Sequence, residues 1–128
     1  MAINSKQKGK VGENELAHIL RDFGYTNARR SQQFAGINND ADVVGVHGLH
    51  IECKRNEHLN IYSAMEQSLD DSKAEETPIV CHRKNRKPWL VTLLLPDFFE
   101  MYQELDRVKA ENLRLKEEIH EMTGEANG

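Results

Sequence analysis

Two acidic residues and a lysine lie close together in the segment DVVGVHGLHIECK, which spans residues 42–54. Side chains alternate along a strand, so Glu52 and Lys54 point to the same side of LHIECK. If ADVVGV and LHIECK form a hairpin, Asp42 at the start of the first strand comes close to Glu52. Two neighbouring carboxylates repel each other unless a cation lies between them, and oxygen ligands of this kind favour Mg²⁺ or Mn²⁺. The segment therefore predicts a site for a divalent metal ion, with a lysine beside it.

Helical geometry predicts a third acid at this site. Residues 11–23 have apolar side chains three and four positions apart, as an amphipathic helix does. On this helix Glu13 shares the apolar face of Leu16 and Leu20, whereas Glu15 points to the other side. A carboxylate on a core-facing stripe costs free energy unless it has a partner, and the metal ion would be that partner.

Each of these residues also has an ordinary structural interpretation. Glu52 and Lys54 could form a surface ion pair, and Asp42 could be a turn or strand-end residue. Glu13 could be an acid that interacts with the helix dipole. A functional site requires all four to converge on one point, and a purely structural role does not. Together they favour a catalytic metal site.

The sequence also predicts the helices and strands that hold these residues. A helix ends near Gly24 and is followed by three short strands, of which the last two form a hairpin across residues 45–48. A second helix at residues 60–73 precedes two more strands, which are joined by a basic turn at residues 85–87. A long helix opens at Pro96-Asp97. This order predicts an α/β fold, a mixed sheet flanked by helices.

The constellation of three acids and a lysine resembles that of the PD-(D/E)XK nuclease superfamily. In this resemblance Asp42 is the first acid, Glu52-Cys53-Lys54 is the (D/E)XK element, and Glu13 is the acid of the first helix. More narrowly, the chain resembles the phage and archaeal Holliday junction resolvase-like endonucleases over about residues 6–98, through the successive segments KGKVGENELAHIL, ARRS, ADVVG, IECKR and NRKPWLVTL. Ala41 replaces the proline of the motif, at a position that varies in the superfamily. The triplet alone is a weak motif, and the order of elements makes it specific.

The resemblance implies a restriction-endonuclease-like fold and metal-dependent hydrolysis of phosphodiester bonds in DNA. Glu13, Asp42, Glu52 and the Cys53 carbonyl would hold Mg²⁺ or Mn²⁺ against the scissile phosphate. Lys54 would orient the attacking water or stabilise the developing charge. The expected product ends are 5′-phosphate and 3′-hydroxyl.

The second helix carries a further candidate, Gln67, because similar nucleases have a glutamine there. The periodicity of the helix argues against it: Tyr62, Met65 and Leu69 set the apolar stripe, and Gln67 points away from them. We expect His50 to be a strand residue and not a ligand, since the acids already complete an oxygen-rich site.

Basic and polar residues near the site are the predicted DNA contacts. The turn HRKNRKP has four cations in five positions, which repel one another unless an anion binds them, although a solvated hairpin tip is the alternative. Residues 29–32 lead into the loop before Asp42, where similar resolvases grip DNA. Such contacts are to the backbone, so DNA would be recognised by shape and not by base sequence. The predicted DNA-binding residues are Lys8, Lys10, Arg29, Arg30, Ser31, Gln32, Arg55, Arg83, Lys84, Arg86 and Lys87.

The C-terminal segment has apolar residues alternately three and four positions apart, which is a heptad pattern. The predicted dimerisation residues are Leu105, Val108, Asn112, Leu115 and Ile119. Asn112 at an a position favours two parallel strands, whereas a single amphipathic helix on its own domain is the alternative. We therefore predict a nuclease domain at residues 1–96, a coiled-coil dimerisation helix at 97–123 and a disordered tail at 124–128.

The acidic net charge of −4 is concentrated in the C-terminal segment. Residues 1–95 hold 13 Lys/Arg and 12 Asp/Glu, and residues 96–128 hold 4 and 9, so the average does not argue against DNA binding by the first part. The two cysteines favour reduced thiols and a cytoplasmic protein, in a bacterial host cell if the chain is phage-encoded. We expect no membrane span and no small-molecule cofactor.

The sequence thus predicts a Mg²⁺-dependent Holliday junction resolvase that acts as a homodimer on branched or four-way junction DNA in recombination. One alternative is a nicking or double-strand endonuclease of the same superfamily with another DNA target. Another is a non-catalytic DNA-binding adaptor, but a protein that only binds DNA has no use for clustered acids facing phosphates. Junctions, flaps, nicks and duplexes are all read by backbone geometry, so the sequence does not choose among them.

Overall fold

The computed structural model describes the backbone of residues 5–32 and 41–127 and the side chains of residues 9–32 and 41–124. The elements, in chain order, are α1 Ser5–Asp22, β1 Arg29–Arg30, β2 Val43–Val44, β3 Leu49–Lys54, α2 Ile61–Asp71, β4 Thr77–His82, β5 Leu90–Leu93 and α3 Leu95–Asn127. Their order is the predicted one, and the α/β fold is confirmed. The chain forms two compact units, residues 1–94 and 95–128.

The five strands of the first unit form one mixed sheet in the order β1-β2-β3-β4-β5. Among the strand pairs of the described residues, only β3–β4 is parallel, and α2 provides the crossover between these two strands. Both strands are buried over their four middle residues, as expected when helices cover both faces of a sheet. Strand β3, which carries the (D/E)XK element, is thus the central strand.

The two faces of β3 have different surroundings. Ile51 and Cys53 belong to a core cluster with Leu16 and Ala17 of α1. The alternate residues point to the opposite face, where Glu52 pairs in register with Val80, which packs against α2. The candidate catalytic face of β3 is therefore the one that α2 covers.

The β2–β3 hairpin depends on Gly45. Its φ is 96°, in the left-handed region that side chains disfavour, and an added Cβ would lie 2.1 Å from the Asn27 carbonyl oxygen. Only glycine allows the backbone that follows β2 to approach the segment before β1 so closely. The hairpin in turn brings Asp42 against β3.

The buried face of α2 differs from the predicted one. Ala64, Met65 and Ser68 are buried, whereas Tyr62 is 80% exposed and Leu69 is 47% exposed, so the predicted stripe of Tyr62, Met65 and Leu69 was wrong at two of its three positions. The reason is that α2 packs closely on β3 and β4 through small residues. The Ser68 hydroxyl is fully buried and lies within hydrogen-bond distance of a backbone carbonyl on each of these strands.

The second unit is the 33-residue helix α3, about 50 Å long at 1.5 Å per residue. It continues to Asn127, where the sequence predicted the helix to end at residue 123, and Gly128 lies outside the described residues. All residues from 98 to 124 are exposed in the chain by itself. No helix in the described part of the chain is long and apolar enough to cross a membrane.

Candidate active site

The structure brings Asp42, which directly precedes β2, close to Glu52 of β3. The Asp42 backbone N–H donates to the Ile51 carbonyl at 2.9 Å, and its carboxylate Oδ2 accepts from the Cys53 N–H, also at 2.9 Å. These two hydrogen bonds hold the Asp42 carboxylate against β3. Burial raises the pKa of Asp42 to about 7, and the charge of Glu52 beside it adds to the rise.

The donor set of this acid pair fits a divalent cation. The Glu52 side chain is 2% exposed, and its Oε2 is buried without a hydrogen-bond partner among the described residues. An unpartnered buried carboxylate oxygen costs free energy, as does the repulsion between two adjacent carboxylates. A cation bound between Asp42 and Glu52 would remove both costs.

Glu13 of α1 lies close enough to this pair for its charge to raise the pKa of Asp42 further. It is held by Arg30 of β1, whose Nε donates to Glu13 Oε2 at 2.7 Å. The structure therefore brings the predicted helix acid near the two strand acids, together with an arginine that the sequence did not connect to it. Arg30 and Glu13 are 17 positions apart, and no periodicity in the sequence relates them.

Glu15, on the other side of α1, has a different role. Its Oε1 accepts from Arg83 at 2.5 Å and from the Trp89 indole N–H at 2.9 Å. Burial acts to raise the pKa of Glu15, but the hydrogen bonds from Trp89 and Arg83 lower it overall. Glu15 thus links α1 to the segment around β4 and β5, apart from the acid pair.

Lys54 lies on the same face of β3 as Glu52, and its Nζ donates to Gln67 Oε1 on α2 at 3.3 Å. The helix periodicity had placed Gln67 away from the site. This inference was wrong because the buried face of α2 runs through Ala64, Met65 and Ser68, which leaves Gln67 beside Lys54. The catalytic roles of Lys54 and Gln67 stay predictions.

A histidine that the sequence interpretation set aside contacts the site directly. His50 and Glu52 are each 2% exposed at the side chain, and His50 Nε2 lies 3.1 Å from Glu52 Oε1. His50 Nδ1 lies 3.7 Å from Glu76 Oε1. Burial acts to lower the pKa of His50, but the hydrogen bond and charge of Glu52, with the charges of Glu76 and Asp71, raise it overall. The alternation along β3 was the signal, since it places His50 on the face of Glu52.

The ligand geometry of this region differs in part from the predicted set. Among side chains that the structure describes, His50, Glu52 and Asp71 form the one group of three possible ligands with donor atoms within 4.8 Å of one another. The predicted set of Glu13, Asp42 and Glu52 does not meet this distance in the present arrangement, in which Arg30 holds Glu13. Glu52 is common to both sets.

Several residues predicted to contact DNA instead form ion pairs or hydrogen bonds within the protein. Arg30 is paired with Glu13 of α1 and Arg83 with Glu15 of the same helix, and Arg55 lies 4.0 Å from Glu15. Ser31 is 7% exposed and its N–H donates to the Asp42 carbonyl, so the structure gives it a structural contact instead of the predicted exposed one.

Other predicted DNA contacts lie on the surface. The exposed ones are Lys10, Arg29, Gln32, Lys84, Arg86 and Lys87. The side chain of Lys8 lies outside the described residues. The basic turn between β4 and β5 therefore presents three cations, Lys84, Arg86 and Lys87, to solvent.

Both cysteines are buried and free. Burial raises the pKa of the Cys81 thiol to about 11, and it also raises that of Cys53. Neither thiol is suited to act as a nucleophile, because the reactive form is the thiolate. The contribution of Cys53 to the site is through its backbone, whose N–H holds Asp42.

One family model matches the chain over residues 4–126, and its description is "Phage putative PDDEXK endonuclease". No curated protein and no solved structure matches the chain. The matched span contains the acid pair, Glu13, Lys54 and the whole basic turn, and it supports nuclease activity. The chain therefore belongs to this phage endonuclease family of the PD-(D/E)XK superfamily, as the order of its motifs predicted.

Proposed function

We propose that this protein is a divalent-metal-dependent DNA endonuclease that hydrolyses phosphodiester bonds in branched DNA, with the Holliday junction as its main substrate. The observation that carries the proposal is the pair formed by half-buried Asp42 and buried Glu52, with the pKa of Asp42 raised to about 7, beside Lys54 in a chain of an endonuclease family. A binding protein gains nothing from an unpartnered buried carboxylate oxygen, whereas a metal site requires one.

Asp42 and Glu52, with Glu13 and the Cys53 carbonyl, are the residues that would hold Mg²⁺ or Mn²⁺. When bound, the ion supplies a water of lowered pKa and offsets negative charge on the phosphate. Lys54 would orient that water or stabilise the developing charge, and its contact with Gln67 supports a fixed position for the ammonium group. Arg30 reduces the repulsion that Glu13 adds to the acid pair.

The three exposed cations of the β4–β5 turn would bind the phosphate backbone. They are exposed, and Asn85 between them is fixed by the Glu57 carboxylate, which accepts from its N–H at 2.8 Å. Contacts of this type bind DNA by its shape. The preference for branched DNA rests on the resemblance of the sequence to junction resolvases. A nicking or double-strand endonuclease with another DNA target is the second candidate.

We also propose that α3 joins two copies of the chain as a parallel coiled coil. Its seam residues are exposed in the single chain: Leu115 is 41% exposed and Ile119 is 60% exposed. A long helix that exposes a regular apolar seam gains stability by pairing it. Two catalytic units on one two-fold axis suit a four-way junction, which has two strands to cut symmetrically.

The test is cleavage of end-labelled four-way junction, flap, nicked and plain duplex DNA of matched sequence, with Mg²⁺ and with EDTA. We expect Mg²⁺-dependent cleavage with the junction as the fastest substrate. Equal rates on plain duplex would support the alternative endonuclease. Binding of the junction without cleavage in Mg²⁺ or Mn²⁺ would overturn the enzymatic proposal in favour of an adaptor.

A further inference from the structure

We propose that His50 is the positioning residue for Glu52: its Nε2–H holds Oε1 of the carboxylate in one orientation and so leaves Oε2 free for the metal ion. The inference rests on the proposed metal-dependent function, and it assigns a specific task to a residue outside the PD-(D/E)XK motif. It concerns how tightly the protein binds the ion and not which bond is cut.

The two carboxylate oxygens of Glu52 have different surroundings, and this is the first observation that supports the role of His50. Oε1 lies 3.1 Å from His50 Nε2, whereas Oε2 is buried and has no partner among the described residues. A glutamate has three side-chain torsions, and burial alone does not fix its carboxylate plane. The hydrogen bond from His50 therefore determines that Oε1 is the hydrogen-bonded oxygen and that Oε2 is available to bind the metal ion.

The second support is the way in which His50 is itself held. Its ring is 2% exposed, and its Nδ1 lies 3.7 Å from Glu76 Oε1. Its backbone carbonyl is within 3.3 Å of the Ser68 hydroxyl, which pins this part of β3 to α2. The imidazole is thus held by the hydrogen-bond contact of Nε2 and by the anchored backbone, with the Glu76 carboxylate near Nδ1.

The geometry also separates this role from direct metal binding by His50. Nε2 lies 3.1 Å from Glu52 Oε1, and a carboxylate oxygen accepts hydrogen bonds, so this geometry favours the N–H on Nε2. A nitrogen that donates a hydrogen bond has no lone pair for a cation. Histidines and carboxylates behind a metal ligand typically orient it in this way, and their loss weakens metal binding about 10–100-fold.

The test compares His50→Leu, which fills the space without a donor, with His50→Gln, whose amide keeps an N–H at the ε position. The control is His47→Leu, which removes an exposed histidine from the hairpin turn. Mn²⁺ affinity is measured by calorimetry on the DNA-free protein, and thermal unfolding reports stability separately. Cleavage is then measured at limiting and at saturating Mg²⁺.

We expect His50→Leu to weaken Mn²⁺ binding about 10–100-fold and to raise the Mg²⁺ concentration for half-maximal cleavage in parallel. His50→Gln should retain most of the affinity, and His47→Leu all of it. If His50→Leu does not fold, Glu76→Gln provides the second variant, since loss of the carboxylate near Nδ1 should weaken Mn²⁺ binding by a smaller factor. The rescue by Gln distinguishes positioning from packing, which would move the unfolding temperature without moving the affinity.

Wild-type affinity in both His50→Leu and Glu76→Gln would overturn the inference. So would two Mn²⁺ ions per chain, one of which is lost in Asp71→Asn, because His50 would then be a ligand with Glu52 and Asp71. A wild-type protein that binds no divalent ion is a different result, since it overturns the proposed metal-dependent function itself.

Discussion

At the scale of single residues, two elementary rules were enough to predict the acid pair. Alternation along LHIECK placed Glu52 and Lys54 on one face, and the glycine turn implied a hairpin that returns to Asp42; the structure shows this convergence. The same alternation placed His50 beside Glu52, but the sequence interpretation discarded it because the acids were already sufficient as ligands. The pairing of Arg30 with Glu13 could not be predicted, since only the folded sheet brings them together.

The raised pKa of Asp42 predicts a stability effect of pH in the metal-free protein. Its carboxyl keeps a proton in the folded state up to about pH 7, whereas the ordinary value is 3.8, so between these values the folded state binds more protons. Stability should therefore fall as pH rises through this window, by at most about 1.4 kcal/mol per pH unit. Thermal unfolding in EDTA from pH 4 to 8 measures this decline.

Asp42→Asn should reduce the decline in stability between pH 4 and 8. Mg²⁺ should also reduce this decline in the wild type. Asp70→Asn, on the exposed side of α2, is the control and should leave the decline unchanged. A wild-type protein whose stability rises steadily from pH 4 to 7 would contradict the burial of a protonated Asp42.

Lys54→Ala should lower the single-turnover cleavage rate about 10²–10³-fold, because an ammonium beside the reacting phosphate acts on charge that develops in the transition state. Gln67→Ala should lower it less, since Gln67 acts through Lys54. Mn²⁺ affinity should be largely kept in both. A larger loss in Gln67→Ala than in Lys54→Ala would show that Gln67 acts on the substrate directly.

At the scale of elements, the strands and helices were predictable in type and order, but the orientation of α2 was not. The local pattern selected Tyr62 and Leu69 for the core because they are the large apolar residues of the helix. The sheet face beneath α2 carries His50 and Glu52, so close packing is made through Ala64 and Ser68. Tertiary packing thus decided the buried face.

The basic turn gives a prediction at this scale. Replacing Lys84, Arg86 and Lys87 with alanine should weaken junction binding and make it less dependent on salt. The slope of log K against log salt should become shallower by about 0.9 for each phosphate that the turn no longer neutralises. The matched control replaces Lys109 and Lys116 of α3, and fluorescence anisotropy at several salt concentrations measures both variants. An unchanged slope in the turn variant would mean that the turn is only a solvated hairpin tip.

At the scale of the whole molecule, the sequence predicted a helix with a heptad seam, and the chain has a 33-residue helix with that seam exposed. The structure of a single chain shows the apolar seam of α3 exposed to solvent. It therefore does not identify the helix that packs against this seam. The polar Asn112 within the seam favours a coiled coil of two parallel helices, because a buried asparagine at this position selects that state at a cost in stability.

Sedimentation velocity should therefore show a dimer for the wild type and a monomer when Val108 and Leu115 are both replaced by aspartate. Asn112→Leu should raise the unfolding temperature and produce higher oligomers. The double variant should still nick junctions, with less coordinated cleavage of both strands. If the wild type and the double variant are equally tight dimers, residues 1–94 carry the interface. A monomeric wild type would contradict the coiled coil.

The decisive measurement for a metal-dependent cleavage site built on the acid pair is single-turnover cleavage of a labelled four-way junction by Glu52→Gln. The variant is nearly isosteric but cannot supply the carboxylate charge, and Glu66→Gln, on the exposed surface of α2, is its control. We expect Mg²⁺-dependent cleavage by the wild type and the control, and no cleavage by Glu52→Gln, which should bind the junction at least as tightly. Cleavage by Glu52→Gln within a few-fold of the wild-type rate would contradict a metal site built on this pair.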